Sequence, residues 1–209
     1  MMSSCRWRVC RLLLCGLLGC CLSLPAVAAA RPEEKAKAAQ EMSPEAMMAE
    51  YMKYANPGPQ HEALKPLVGS WKTVTKAWMA PGQEPQVTEG TSEATLILGG
   101  RFIKEEFHST FMNAPFQGFG ITGYDLTKGA YVGSWTDTMG TGIMNMTGEA
   151  DSSGKVFNWT ASYYDPVMKQ DKKYRMVTKI VDNNSHTFQL YEVMGSQETL
   201  GMEITYTRR

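Results

Sequence analysis

The sequence predicts an all-β fold: an antiparallel up-and-down β-barrel of about ten strands behind a short N-terminal helical segment. Three observations predict it. From Gly69 onward, apolar and polar residues alternate with a period of two, and β-branched and aromatic residues are frequent. Breaks containing Gly, Asp or Asn divide this stretch at short intervals, and no helical period intervenes. An open sheet of so many strands leaves two unpaired edges, and closing it into a barrel removes both. A β-sandwich is the alternative.

Residues 1–30 read as an export signal outside the fold. Arg6, Arg8 and Arg11 precede an uncharged apolar run from Leu12 to Leu24, and the small residues Ala26-Val27-Ala28-Ala29-Ala30 follow. That is the basic, apolar and small-residue order of a secretory signal peptide, with cleavage after Ala28 or Ala30. The run is shorter than the roughly 20 apolar residues of a membrane-spanning helix. A second cut competes: Leu17-Leu18-Gly19-Cys20 resembles a bacterial lipobox, which would leave Cys20 lipidated and the protein anchored to an envelope membrane. Either way the expectation is an exported protein, periplasmic or secreted.

Removing this segment changes the composition. All five Cys lie within it, as Cys5, Cys10, Cys15, Cys20 and Cys21. A cut after Ala28 or Ala30 leaves neither disulfides nor thiolate chemistry. The basic residues fall from 21 to 18 while the acidic residues stay at 21, a net charge of −3. That balance offers no electrostatic footprint for nucleic acid.

Residues 31–59 form a helical or flexible segment. Glu33 to Met42 is rich in good helix formers. Ser43-Pro44-Glu45 starts a helix, with Ser as the cap, Pro in the first turn and an acid beside it. Met47, Met48, Tyr51, Met52 and Tyr54 follow as a helical stripe that Asn56-Pro57-Gly58-Pro59 ends. The stripe suits a helix packed on the domain or a spacer, since its polar face lacks the lysines of an interfacial membrane helix.

Residues 60–209 form the barrel domain, with strands expected near 70–79, 87–98, 101–112, 116–124, 130–138, 142–149, 155–164, 172–182, 186–194 and 200–208. Turns punctuate them at Ala80-Pro81-Gly82, Gly99-Gly100, 125–129, 151–154, Asp165-Pro166 and 182–184.

Five motifs in this stretch carry a resemblance. His61 to Trp71 (HEALKPLVGSW) leads into the first strand, then come Leu98-Gly99-Gly100-Arg101-Phe102 and Gly120-Ile121-Thr122-Gly123-Tyr124-Asp125. Trp135-Thr136-Asp137-Thr138-Met139-Gly140-Thr141 follows, and Tyr206-Thr207-Arg208 closes the chain. Over about residues 60–209 this resembles the bacterial family called domain of unknown function 1579. The resemblance implies a calycin-type barrel, similar to lipocalins and fatty-acid-binding proteins, and no established activity. Gly69-x-Trp71 with the late Arg208 also resembles the lipocalin closure, in which a first-strand Trp packs under a last-strand Arg as a structural pair.

Strand alternation selects the side chains that face the interior. Ile103, Phe107 and Phe111 share a face with Arg101, Glu105 and Ser109. Tyr131, Trp135 and Met139 share one with Asp137, and Phe188, Leu190 and Met194 share one with Glu192. Met202, Ile204 and Tyr206 share one with Arg208. Buried charges must be paired or hydrogen-bonded. Arg101 with Glu105 or Asp137, and Arg208 on Trp71, would neutralise one another; alternatively they form a polar patch that orients a ligand head group. The expected ligand-binding residues are Trp71, Arg101, Glu105, Tyr124, Trp135, Asp137 and Arg208. In that set Arg101 meets an anionic group, Trp135 lines the wall and Asp137 orients or accepts a hydrogen bond. Asp125 instead holds the hairpin after Tyr124.

Other chemistries find less support. His61, His108 and His186 are far apart, His108 on the face opposite Phe107 and His186 in a turn, so neither a metal nor a haem or other cofactor is expected. Met144-Asn145-Met146 places two soft thioethers on one strand face, but scattered Met more often fills core space. Ser109 beside His108 falls on the opposite strand face, and no Gly-x-Ser-x-Gly occurs. The expected function is therefore binding of a small amphipathic or apolar molecule in the barrel cup. The alternatives are acid–base catalysis by Glu105 and Asp137, or a filled structural barrel that binds an envelope partner. A cavity under about 300 Å³ would favour that last reading.

Overall fold

The computed structural model describes residues 42–209. The expected export signal and the lipidation alternative at Cys20 lie outside the described residues.

Helix α1 (Pro44–Met52) starts where the cap signal placed it. The Ser43 hydroxyl accepts the Ala46 amide at 3.2 Å. None of its residues is buried, and Met48 and Tyr51 are among the most exposed apolar side chains.

The barrel consists of β1 (Gly69–Ala77), β2 (Gln86–Ile97), β3 (Phe102–Phe111), β4 (Ala114–Asp125), β5 (Ala130–Asp137), β6 (Met144–Ala150), β7 (Val156–Asp165), β8 (Gln170–Asp182), β9 (Ser185–Met194) and β10 (Gln197–Arg208). Each strand pairs antiparallel with its neighbours in sequence, and β1 pairs with β10 to close the ring. The closing register runs from Trp71 opposite Arg208 to Ala77 opposite Met202. The up-and-down barrel thus stands, and the sandwich alternative does not. Register shifts between Leu200 and Met202 and between Ile180 and Asp182 mark the two irregular points of the ladder.

The two ends of the barrel differ. At the end where β1 begins, the short helix α2 (Pro59–Glu62) and a 3₁₀ turn over Lys65–Leu67 form a plug. Leu64 and His61 are buried there. The Tyr131 hydroxyl donates to the Gln60 carbonyl at 3.2 Å, and Trp71 Nε1 donates to the Leu67 carbonyl at 3.1 Å. Beneath the plug lies an aromatic core of Tyr124, Tyr131, Phe157 and Trp159, with successive ring centroids 4.8, 5.0 and 6.2 Å apart. Turns at this end hold Asp125, Asp151 and Asp182, each accepting backbone amides of its own turn, so Asp125 does hold its hairpin.

At the other end every turn carries an exposed apolar side chain. Met79, Met112, Met139, Ile143, Val167, Met168 and Met194 all stand more than half exposed. This end is the mouth of the barrel.

Candidate functional site

A cavity of about 390 Å³ opens at the mouth and runs down between the strands. A second aromatic cluster lines its wall. Phe107 meets Phe116, Trp135 and Tyr206 at centroid distances of 6.1, 6.3 and 6.5 Å. Tyr206 stacks on His186 at 4.1 Å, and His186 meets Trp71 edge-on at 4.5 Å.

Of the residues that sequence pattern selected, Trp71, Glu105, Trp135 and Asp137 line this cavity. Glu105 lies inside the barrel on the cavity wall. Its Oε1 accepts the Ser92 hydroxyl at 2.7 Å, and the Tyr206 hydroxyl is its second partner. Burial raises the Glu105 carboxyl above its usual range, although both bonds pull it down. Tyr206 is pushed well above the usual phenol value, by burial first and by the adjacent carboxyl second. Asp137 stands higher, near the mouth. Its Oδ2 accepts Trp135 Nε1 and its Oδ1 accepts the Met139 amide, each at 2.9 Å.

Trp135 owes its place to two glycines. Gly118 and Gly120 on β4 lie opposite Asp137 and Trp135 in register. A Cβ on Gly118 would stand 2.1 Å from the indole, and one on Gly120 3.0 Å. The ring lies in the trough those residues leave.

Three expected site residues lie elsewhere. Arg101 is absent from the cavity wall and donates to the Leu98 carbonyl at 3.0 Å, so its expected pairing with Glu105 or Asp137 does not form. The physical reason is local. Arg101 caps the 3₁₀ turn Leu98–Gly100 with αR backbone angles, and strand alternation begins only at Phe102. Tyr124 packs against Tyr131 and His61 beneath the plug. Arg208 seals that same end. Its guanidinium lies 4.2 Å from the centroid of the Trp71 ring and donates to the carbonyls of Asn183, Val68 and Pro66. Glu192, on the same expected face as Phe188, bonds Lys172 at 3.0 Å, and Lys172 also reaches Asp165 at 3.1 Å.

His186 is the residue that sequence reasoning placed poorly. It is not in a turn but is the second residue of β9, buried, and it lines the cavity. Strand β9 begins at Ser185, directly after the two-residue turn Asn183-Asn184, so alternation already applies at His186. Its parity with Phe188 and Leu190 was the available signal. Burial, with the Arg208 charge as a lesser cause, lowers its pKa to about 4. Its Nδ1 has no hydrogen-bond partner, and neither has Oγ1 of Thr75, another residue of the wall.

Met144 and Met146 both face the cavity. His108 is exposed, and Ser109 bonds the Glu89 carbonyl at 3.0 Å rather than an imidazole. Among the described residues no group of three His, Cys, Asp or Glu side chains is placed to hold a metal.

Fold and cavity together define a small closed β-barrel, plugged at one end and hollow at the other. The chain belongs to the family described as protein of unknown function DUF1579, whose model matches residues 56–208. No curated protein matches it. Among solved structures, the crystal structure of Rv2717c from M. tuberculosis matches with a TM-score of 0.53 and 16% identity, over 74% of this chain and 99% of that one. The likeness is one of fold. Two further barrels match with lower scores. A redesigned β-barrel, b11L5F_LGL, gives 0.39 at 11% identity over 70% of this chain and 95% of its own. EF1p2_mFAP2b bound to DFHBI gives 0.40 at 10% identity over 72% and 99%.

Proposed function

We propose that this protein is an exported binding protein that holds a small amphipathic or apolar molecule in its barrel cavity. One observation carries the reading: a cavity of about 390 Å³ whose wall is mainly apolar and aromatic, with polar groups such as Ser92, Glu105 and Asp137 set into it. That volume lies within the usual range for ligand pockets, roughly 300–1,000 Å³, and above what a filled barrel would leave. The mouth is ringed by exposed methionines, which offer a pliable apolar entrance. Acid–base catalysis by Glu105 and Asp137 has less support. Both oxygens of Asp137 already accept hydrogen bonds, and Glu105 already has two hydroxyl partners.

The test uses the full chain expressed in an export-competent bacterial host. Native mass spectrometry is expected to find a non-covalent adduct, or else an empty barrel that takes up one equivalent of the neutral dye N-phenyl-1-naphthylamine. A protein that carries nothing and leaves the dye in water overturns the reading. The denatured mass of the same sample locates the mature N-terminus. Cleavage after Ala28 or Ala30 is expected, and a diacylated Cys20 would replace the free form with an anchored one.

A further inference from the structure

We propose that the cavity selects an apolar organic ammonium ion over a carboxylate of the same chain length, with Glu105 as the counter-ion. This inference rests on the ligand-binding reading above and names the chemical class of its ligand.

The first support is the distribution of charge. Among the described residues, no Lys or Arg lines the cavity, and its ionisable side chains are Glu105, Asp137, His186 and Tyr206. The basic residues nearest in pattern are engaged elsewhere. Arg208 is locked over Trp71 at the plugged end, Lys172 sits between Asp165 and Glu192, and Arg101 bonds the Leu98 carbonyl. A carboxylate ligand would therefore carry its charge into a low-dielectric site beside two acids with no cation to meet it. Burying an unpaired charge in that way costs several kcal/mol. An ammonium ion reverses the sign: it gives Glu105 the opposite charge that its burial lacks.

The second support is the aromatic cluster on the wall. A cation is attracted to the faces of Trp, Tyr and Phe rings within about 6 Å. Phe107, Trp135 and Tyr206 converge on this part of the cavity. The register places Glu105 opposite Gly120 and Gly120 opposite Trp135. Carboxyl and indole thus belong to one row of the barrel wall, with no side chain between them.

The third support is the acceptor capacity of Glu105. A carboxylate has about four accepting positions, of which Ser92 and Tyr206 use two. A primary ammonium group brings three N–H donors and no acceptor, so it is matched to the unfilled side of Glu105.

Three ligands with one tail separate the head groups: decylammonium, decanol and decanoate, titrated at pH 7 by intrinsic tryptophan fluorescence. Trp71, Trp135 and Trp159 line the cavity and report its occupancy. The expected order of affinity is decylammonium, then decanol, then decanoate, with about tenfold or more between the first and the last, as for a desolvated charge pair. Glu105→Gln is expected to lower decylammonium affinity by about tenfold while changing decanol affinity by less than about threefold. Decanoate binding as tightly as decylammonium overturns the inference. So does a Glu105→Gln protein that keeps the wild-type ratio of ammonium to alcohol affinity. The wild-type order needs no variant, so misfolding of Glu105→Gln leaves the test intact. Uptake of N-phenyl-1-naphthylamine with decanoate preferred rejects the ammonium selectivity alone. If neither the dye nor any decyl compound binds, the ligand-binding reading itself falls.

Discussion

His186 lies between the Tyr206 ring at 4.1 Å and the Trp71 ring at 4.5 Å, which leaves its imidazole little water. A proton that an unfolded chain accepts near pH 6.5 is refused in the barrel until about pH 4. The unfolded state therefore binds more protons across that window, and the stability due to neutral His186 is lost as pH falls through it. One pKa unit corresponds to about 1.4 kcal/mol, so the loss between pH 7 and 4.5 is roughly 2–3 kcal/mol. Glu105 acts in the opposite sense. Burial raises its carboxyl in the folded state, so that contribution is lost as pH rises from about 4.5 through the folded value. Replacing Glu105 by Gln removes the opposing contribution. Urea unfolding at both pH values is expected to show Glu105→Gln losing roughly 2–3 kcal/mol more than Glu105→Gln/His186→Phe on acidification. Phe keeps a planar ring against Tyr206. Parallel pH profiles for the two variants would show that His186 is not the group refusing the proton.

Between elements, Arg208 is the main fastening. From the end of β10 it covers Trp71 of β1, reaches the Asn183 carbonyl in the β8–β9 turn, and takes the Pro66 and Val68 carbonyls of the plug. Gly69 leaves room for it: a Cβ there would fall 2.1 Å from the guanidinium nitrogen, and its φ of +142° disfavours any other residue. Arg208→Lys keeps the charge but cannot span three carbonyls and a ring face. It is expected to cost about 2–3 kcal/mol in urea unfolding, as is Gly69→Ala, with the double variant well short of the sum because both act on one fastening. Strict additivity would separate the two residues. The Gly69-x-Trp71 motif and the late Arg208 were readable through their resemblance to the lipocalin closure, and the β1–β10 register sets Trp71 opposite Arg208. Most of the strands were readable as well, wherever a turn residue with a fixed backbone preference separates them. The interior set of β3, β5 and β10 followed from alternation. Alternation says nothing, however, about where along the barrel axis a side chain lies. That is why Tyr124 and Arg208 were grouped with the cup although they belong to the plugged end. It also stops at the strand boundary, and Arg101 is one residue beyond it. The Tyr206 partnership of Glu105 joins residues far apart in the chain across the interior, which no local pattern reports.

At the scale of the whole molecule the barrel is polarised. A buried plug closes one end, and methionine-bearing turns surround the other, where the cavity opens. The exposed thioethers give that rim a pliable apolar surface. Thioether oxidation tracks solvent access, and the sulfoxide is polar. Limited hydrogen peroxide treatment followed by peptide mass mapping is therefore expected to mark one end of the barrel. Within residues 60–209, Met79, Met112, Met139, Met168 and Met194, all 53–65% exposed, should oxidise first. Met144, Met146 and Met202, on the cavity wall, should follow more slowly, and Met176, 1% exposed, last. Repeating the treatment with N-phenyl-1-naphthylamine bound should slow Met144, Met146 and Met202 and leave Met79, Met112, Met168 and Met194 unchanged, because those four lie off the cavity wall. If Met176 oxidises as fast as Met112, the interior is open to solvent from more than the mouth. If the bound dye protects Met112 and Met168 but not Met144, binding takes place on the rim and not within the barrel.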